Sequence, residues 1–187
     1  EHLLVANSHD TILCFTNFGK VYWLRVFEIP QASRASRGRP MINILPLAQD
    51  ERISTILPVK EFDDQRCVFM ATAQGTVKKT RLSAFSRPRS TGLIALDIVE
   101  GDRLIGAALT EGENDVMLVT SAGKAIRFHE GDVREMGRTA RGVRGVKLDG
   151  AANVIALIIP QEEGMVLTAS ENGYGKKTAA SEFPLRG

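Results

Sequence analysis

The side chains of this 187-residue sequence that combine reactive chemistry with regular spacing are cations. Four glycines, Gly19, Gly75, Gly123 and Gly173, each follow one apolar run and precede a second. Four residues beyond them stand Trp23, Lys79, Arg127 and Lys177, and six beyond stand Arg25, Arg81, His129 and Ala179. Strand alternation puts those two positions on one face. The stretch running on from each glycine is basic as a whole. It carries Lys20, Arg25, Arg34, Arg37 and Arg39 in the first copy, and Lys78, Lys79, Arg81, Arg87 and Arg89 in the second. The third has Lys124, Arg127, Arg138, Arg141 and Arg144, and the fourth Lys176, Lys177 and Arg186. Lys and Arg bind phosphate through charge-assisted hydrogen bonds, so rows of them suit a polyanion.

No other constellation points to a reaction. His2, His9 and His129 are too few and too scattered for a metal site, and each reads as a surface residue. Gly173-Tyr174-Gly175 and Gly142-Val143-Arg144-Gly145 lack the following helix pattern whose N-terminal amides a phosphate loop needs. Asp63-Asp64 falls in an expected hairpin tip, where solvation is the plain reading. No acid, base, nucleophile, metal ligand or cofactor site is therefore assigned. Cys14 and Cys67, far apart and in apolar surroundings, read as two reduced core thiols, which points to a cytosolic compartment. At Trp23 core packing outweighs base stacking.

What positions the cations is a repeat. Ile12 to Val21, Val68 to Val77, Val116 to Ala125 and Met165 to Gly175 share one pattern, with glycine spacings of 56, 48 and 50. Ten residues past each glycine stands an apolar residue, Ile29, Phe85, Val133 or Phe183, and further glycines follow at Gly38, Gly92 and Gly142. In the second unit, strands are expected at Cys67 to Thr72, Gly75 to Leu82, Leu93 to Val99 and Leu104 to Leu109. Four short strands in about fifty residues is the signature of a propeller blade. The expected class is all-β and propeller-like, with units at 10–65, 66–113, 114–162 and an incomplete 163–187. Leu3 to Asn7 reads as the last strand of a preceding blade, so the sequence reads as a piece of a larger ring.

Composition sets the outer limits. With 43% apolar and 25% charged residues the chain is neither disordered nor membrane-spanning, since no apolar run nears the ~20 residues a bilayer helix needs. Its net charge of +2 conceals a division. The four basic stretches hold nineteen Lys or Arg against five Asp or Glu, a net of +14, and the remainder nets −12. In a ring of like blades the cations fall on equivalent edges and merge into a track. The acidic turns, Glu61 to Asp64, Glu111 to Asp115 and Glu162-Glu163, are expected to cluster elsewhere. Such a track fits duplex DNA, held through phosphates with weak sequence preference and steep salt dependence. A propeller scaffold that binds acidic proteins is the other reading of the same pattern.

The long basic loop carries a resemblance. Glu28-Ile29-Pro30-Gln31-Ala32-Ser33-Arg34-Ala35-Ser36-Arg37-Gly38-Arg39-Pro40, continuing through Ile42 to Leu47, resembles the C-terminal domain of the DNA gyrase A subunit. So do Ala71 to Thr80, Arg141 to Val146 and Thr168 to Thr178. The resemblance implies a six-bladed β-pinwheel, in which outer strands are exchanged between neighbouring blades and a basic rim wraps DNA. It also implies service to ATP-dependent negative supercoiling by a type IIA topoisomerase in the bacterial cytoplasm. The implied partners are duplex DNA and the N-terminal part of the gyrase A subunit, together with the gyrase B subunit in an A2B2 complex. ATP and Mg are then used elsewhere in the assembly, and strand cleavage belongs to a tyrosine outside this sequence. The family's short glycine-rich basic box has no counterpart here; it lies upstream of this start in family members, as the last blades lie beyond Gly187. The similar domain of topoisomerase IV, which lacks a well-formed box, is the alternative identity.

Overall fold

The computed structural model describes residues 3–186. β1 (Thr11–Thr16), β2 (Lys20–Arg25) and β3 (Ile53–Val59) come from the first unit. The second supplies β4 (Cys67–Thr72), β5 (Thr76–Arg81), β6 (Leu93–Ile94) and β7 (Leu104–Thr110). The third supplies β8 (Asp115–Thr120), β9 (Ala125–His129), β10 (Val143–Arg144) and β11 (Val154–Ile158), and the fourth β12 (Met165–Ala169) and β13 (Gly175–Ala179). Each unit begins with a hairpin whose turn ends on one of the four glycines. In the first, the Gly19 amide donates to the Thr16 carbonyl at 3.0 Å, and Gly19 has φ 74°. Only a residue without Cβ takes that left-handed conformation freely, which is why glycine recurs there.

The sheets are built across units. Their strand orders are β3-β1-β2-β6, β10-β5-β4-β7, β11-β8-β9 and β12-β13. β6 belongs to the second unit by sequence but pairs with β2 of the first, Leu93 opposite Val21 and Ile94 opposite Lys20. β10 of the third unit pairs likewise with β5 of the second, Val143 opposite Val77. This is the strand exchange of a β-pinwheel. The expected strand from Leu93 to Val99 shrinks to two residues because the amides of Ala95 and Leu96 both converge on the Gly19 carbonyl, at 2.8 and 3.1 Å, ending the ladder. Leu3 to Asn7, expected as a strand, pairs with no ladder; Leu4 packs instead on the outer face of β1.

β3, β7 and β11 lie side by side at the inner edge. Ser54 Oγ donates to the Leu104 carbonyl at 2.9 Å, and the Ala107 amide to Thr55 Oγ1 at 3.2 Å. Small residues let β3, β7 and β11 approach: a Cβ on Gly106 would lie 3.3 Å from that of Leu157. The hydrophobic core sits between blades rather than within them. β4 is buried along its whole length, with Val68 and Met70 facing Leu13, Phe15 and Val21 of the first blade. Phe69 and Ala71 face Val116, Leu118 and Phe128 of the third. A strand covered on both faces has no polar alternation to show, hence the unbroken apolar run. Phe15 meets Phe85 edge to face at 5.9 Å, and Phe69 meets Phe128 at 6.1 Å. Each such side chain contributes about 1.5–3 kcal/mol of burial to the joint between blades. Cys14 and Cys67 are free, buried thiols, and among the described residues no helix is long and apolar enough to cross a membrane.

Candidate nucleic-acid interface

Strand exchange determines where the basic loops run. After β5 the chain makes a one-turn helix, Leu82–Phe85, then crosses to the outer edge of the preceding blade to lay down β6. Residues 86–91 of that crossing are exposed and include Arg87 and Arg89. The third unit does the same: after the turn Glu130–Asp132 its crossing carries Arg138 and Arg141 and delivers Arg144 on β10. In the first unit the exposed stretch 27–40 carries Arg34, Arg37 and Arg39. The crossing loops are tied down at their far ends by glycine. At Gly92 (φ 72°) a Cβ would lie 2.6 Å from the Tyr22 ring, and at Gly142 (φ 89°) 2.5 Å from the Val77 carbonyl. The arginines of the second and third units are therefore strung along the outer circumference of the blades.

Of the eighteen candidate cations, buried Lys78 and twelve others make no ion pair among the described residues; the twelve are Lys20, Arg25, Arg34, Arg37, Arg39, Arg87, Arg89, Arg138, Arg144, Lys176, Lys177 and Arg186. Lys20 and Arg138 are half-buried and the other ten exposed. Arg134 and Lys147 are also exposed and unpaired, and sequence reasoning left both out of the set although Arg134 lies in a basic stretch.

Four candidates are held by carboxylates. Arg81 pairs with Glu135 at 2.5 Å, Arg141 with Asp97 at 2.9 Å, Lys124 with Asp149 at 2.5 Å and Arg127 with Asp115 at 2.5 Å. The Glu135 hydrogen bond raises the Arg81 guanidinium further above its usual range, and Lys124 holds Asp149 below the usual carboxylate range. Acidic and basic groups are thus not as separate as their spacing in the sequence implies. Packing of one blade on the next is the main reason: Arg81 of the second unit meets Glu135 of the third, and Arg141 of the third meets Asp97 of the second. The exposed pairs of Arg81, Arg141 and Lys124 contribute only ~0–1 kcal/mol each, so an incoming phosphate displaces them at little cost, whereas the Arg127–Asp115 pair is largely buried.

Lys78 and Lys79 do not reach the surface. Neighbouring blades cover both faces of β5, so alternation turns neither side chain to solvent. Lys78 is fully buried, with Nζ donating to the carbonyls of Ala95 at 2.7 Å and Arg138 at 2.5 Å. Burial, and secondarily the charge of Arg138, push its ammonium down to about 8, against a small opposing effect of Asp97. Lys79 Nζ donates to the Glu130 carbonyl at 2.9 Å and lies 3.7 Å from the buried Glu130 carboxylate. That carboxylate's other oxygen accepts from the amides of Gly112 and Asn114 at 2.7 and 3.0 Å. Trp23 packs half-buried against the first interblade core and donates from Nε1 to the Phe85 carbonyl at 2.8 Å. Packing, not base stacking, is its role. The signal that marks Lys79 as interior is this tryptophan at the equivalent position.

A family model described as DNA gyrase C-terminal domain, beta-propeller, matches residues 10–60, 68–111, 114–161 and 164–187. The chain is similar to the DNA gyrase A subunit of Salmonella typhimurium, with 58% identity over 186 residues that make up 100% of this chain and 21% of that protein. Its fold is similar to a solved C-terminal domain of DNA topoisomerase IV, with TM-score 0.86 and 29% identity over 96% of this chain and 56% of that one. It is also similar to a solved DNA gyrase A C-terminal domain, with TM-score 0.81 and 26% identity over 97% of this chain and 58% of that one. The chain spans about a fifth of the length of the curated relatives it matches.

Proposed function

Because this chain belongs to the DNA gyrase C-terminal domain, beta-propeller family, we propose that it binds duplex DNA along its outer circumference and bends it around the blades. The observation that carries this reading is the crossing loop. In the second and third units it places arginines without carboxylate partners (Arg87 and Arg89, then Arg138 and Arg144) on the outer edge of the arc, and the exposed stretch 27–40 of the first unit adds Arg34, Arg37 and Arg39. Phosphate contacts of this kind hold a duplex in position without reading its sequence. The curvature has to be imposed: bending 20–30 base pairs through 40–90° costs about 1–6 kcal/mol, and contacts repeated on consecutive blades offset that cost. In the longer protein the wrapped segment is presented to the strand-passing parts of a type IIA topoisomerase and biases it toward negative supercoils, with the gyrase B subunit hydrolysing ATP. The domain itself supplies no catalytic group. Identity across the whole chain favours gyrase over topoisomerase IV as the parent enzyme.

The test is binding of random-sequence duplex across a salt series. Several phosphate contacts from the unpaired cations should make log K fall steeply against log salt, with a slope well below zero. A flat dependence, or no binding at low salt, refutes the proposal and returns the domain to the class of protein-binding scaffolds.

A further inference from the structure

Trp23, Lys79 and Arg127 occupy one place in the repeat, the fourth residue after the hairpin glycine, and grip the same helix of the next unit, Lys79 and Arg127 at its first residue and Trp23 at its last. Each reaches from the tip of its side chain to a backbone carbonyl of the next unit's one-turn helix or its end. Trp23 Nε1 donates to Phe85 O at 2.8 Å, Lys79 Nζ to Glu130 O at 2.9 Å and Arg127 Nη1 to Ala180 O at 2.8 Å. The carbonyls of Glu130 and Ala180 already accept from the amides of Val133 and Phe183, so the side chain takes the second lone pair. Trp, Lys and Arg share length and a terminal N–H, but not charge. What repeats at this position is a hydrogen-bond donor, and a cation is only one way to supply it.

The helix that is gripped is where each crossing loop begins. Arg87 and Arg89 follow Phe85, and Arg134, Arg138 and Arg141 follow Glu130. The far end of the same loop is fixed on the preceding blade by β6 or β10. Both ends of the second and third units' rim loops are thus held by the blade before them. Lys79 is 7% exposed and Arg127 is engaged by Asp115, so neither is free for phosphate.

We propose that Trp23, Lys79 and Arg127, the fourth residue after the hairpin glycine in the first three units, are positioning residues for DNA: they fix the spacing of rim cations between adjacent blades, and so how sharply a bound duplex is bent, without touching the duplex. This rests on the DNA-binding reading above. Trp23→Phe removes a donor and no charge, and Lys79→Met removes both. Each is measured on the full chain for folding by thermal melting, for salt-dependent affinity, and for bending by end-to-end energy transfer on a duplex of about 40 base pairs, long enough to cross several blades at ~3.4 Å per pair.

Both variants should bend the long duplex less and bind it about tenfold more weakly, with an unchanged salt slope and unchanged affinity for a duplex of about 10 base pairs. Lys79→Arg should restore the bend. A folded Trp23→Phe protein that bends DNA as the parent does overturns the proposal, and so does a salt slope shallower by about 0.9 in Lys79→Met, the mark of a lost phosphate contact. Should Lys79→Met fail to fold, Trp23→Phe decides alone. An unmodified chain that leaves bound DNA straight refutes the bending role and this proposal together. An unmodified chain that bends DNA beside variants that do so equally well refutes this proposal only.

Discussion

Titrating Lys78 tests whether an ammonium can sit between the second and third units without a carboxylate. Its Nζ meets two carbonyls and no ion-pair partner, and burial depresses it from 10.5 to about 8. Between those values the unfolded chain binds more protons than the folded one, so this residue's contribution to stability rises with pH across the window. Going from about pH 7.5 to about pH 9.5 its contribution should improve by about 2 kcal/mol, which is ~4–8 °C of melting temperature for a chain this size. Two buried thiols act the other way. Burial raises Cys14 from 9.0 to about 12 and raises Cys67 as well, so their ionisation above about pH 9 favours the unfolded chain. Tyr22, raised to about 12 by burial and then by Glu51, does the same only above about pH 10. The wild-type profile alone therefore mixes opposing slopes, and the measurement is a difference. Urea unfolding of wild type and Lys78→Met, a replacement of similar length, should give stability curves that diverge by about 2 kcal/mol over that range, the wild type gaining on the variant. Parallel curves would show that Lys78 keeps an ordinary proton affinity and that its site is wet.

Three further outcomes follow from the same geometry. Arg87→Gln with Arg89→Gln should leave the melting temperature unchanged and make the salt slope shallower by about 2, as read by binding titrations; a drop in stability would place these arginines in the structure instead of on the rim. Glu135→Gln releases Arg81 from its partner and should tighten DNA binding and steepen the slope by about 1; weaker binding would mean that Arg81 needs Glu135 to hold it. Gly75→Ala should cost about 2–4 kcal/mol in chemical denaturation, because φ is 85° and a Cβ would lie 2.8 Å from Val146. Gly101→Ala, at φ 82° with open space around it, should cost only about 1 kcal/mol; equal costs would show that the strand-exchange contact is slack.

The repeat, the hairpins and the all-β class were legible because they depend on neighbours in the sequence. A left-handed turn needs its glycine within the turn, and β4 announces double burial by having no polar residue from Cys67 to Met70. Strand exchange is different in kind. Nothing in Leu93-Ile94 says that its partner is Lys20-Val21 of the preceding unit, since the pairing spans more than seventy residues. Only the family resemblance supplied it. The same gap accounts for Lys78 and Lys79. Alternation correctly put Lys79 and Arg81 on one face, but a charge count assumes that a face with Lys on it is wet. Here the next blade covers that face as far as the strand end, so Arg81 emerges and Lys79 does not. Cations counted along a sequence overstate a binding track wherever the repeats pack against one another. The correction falls on strand residues and spares the loops. For that reason the crossing-loop arginines, and not the strand lysines, carry the case for DNA.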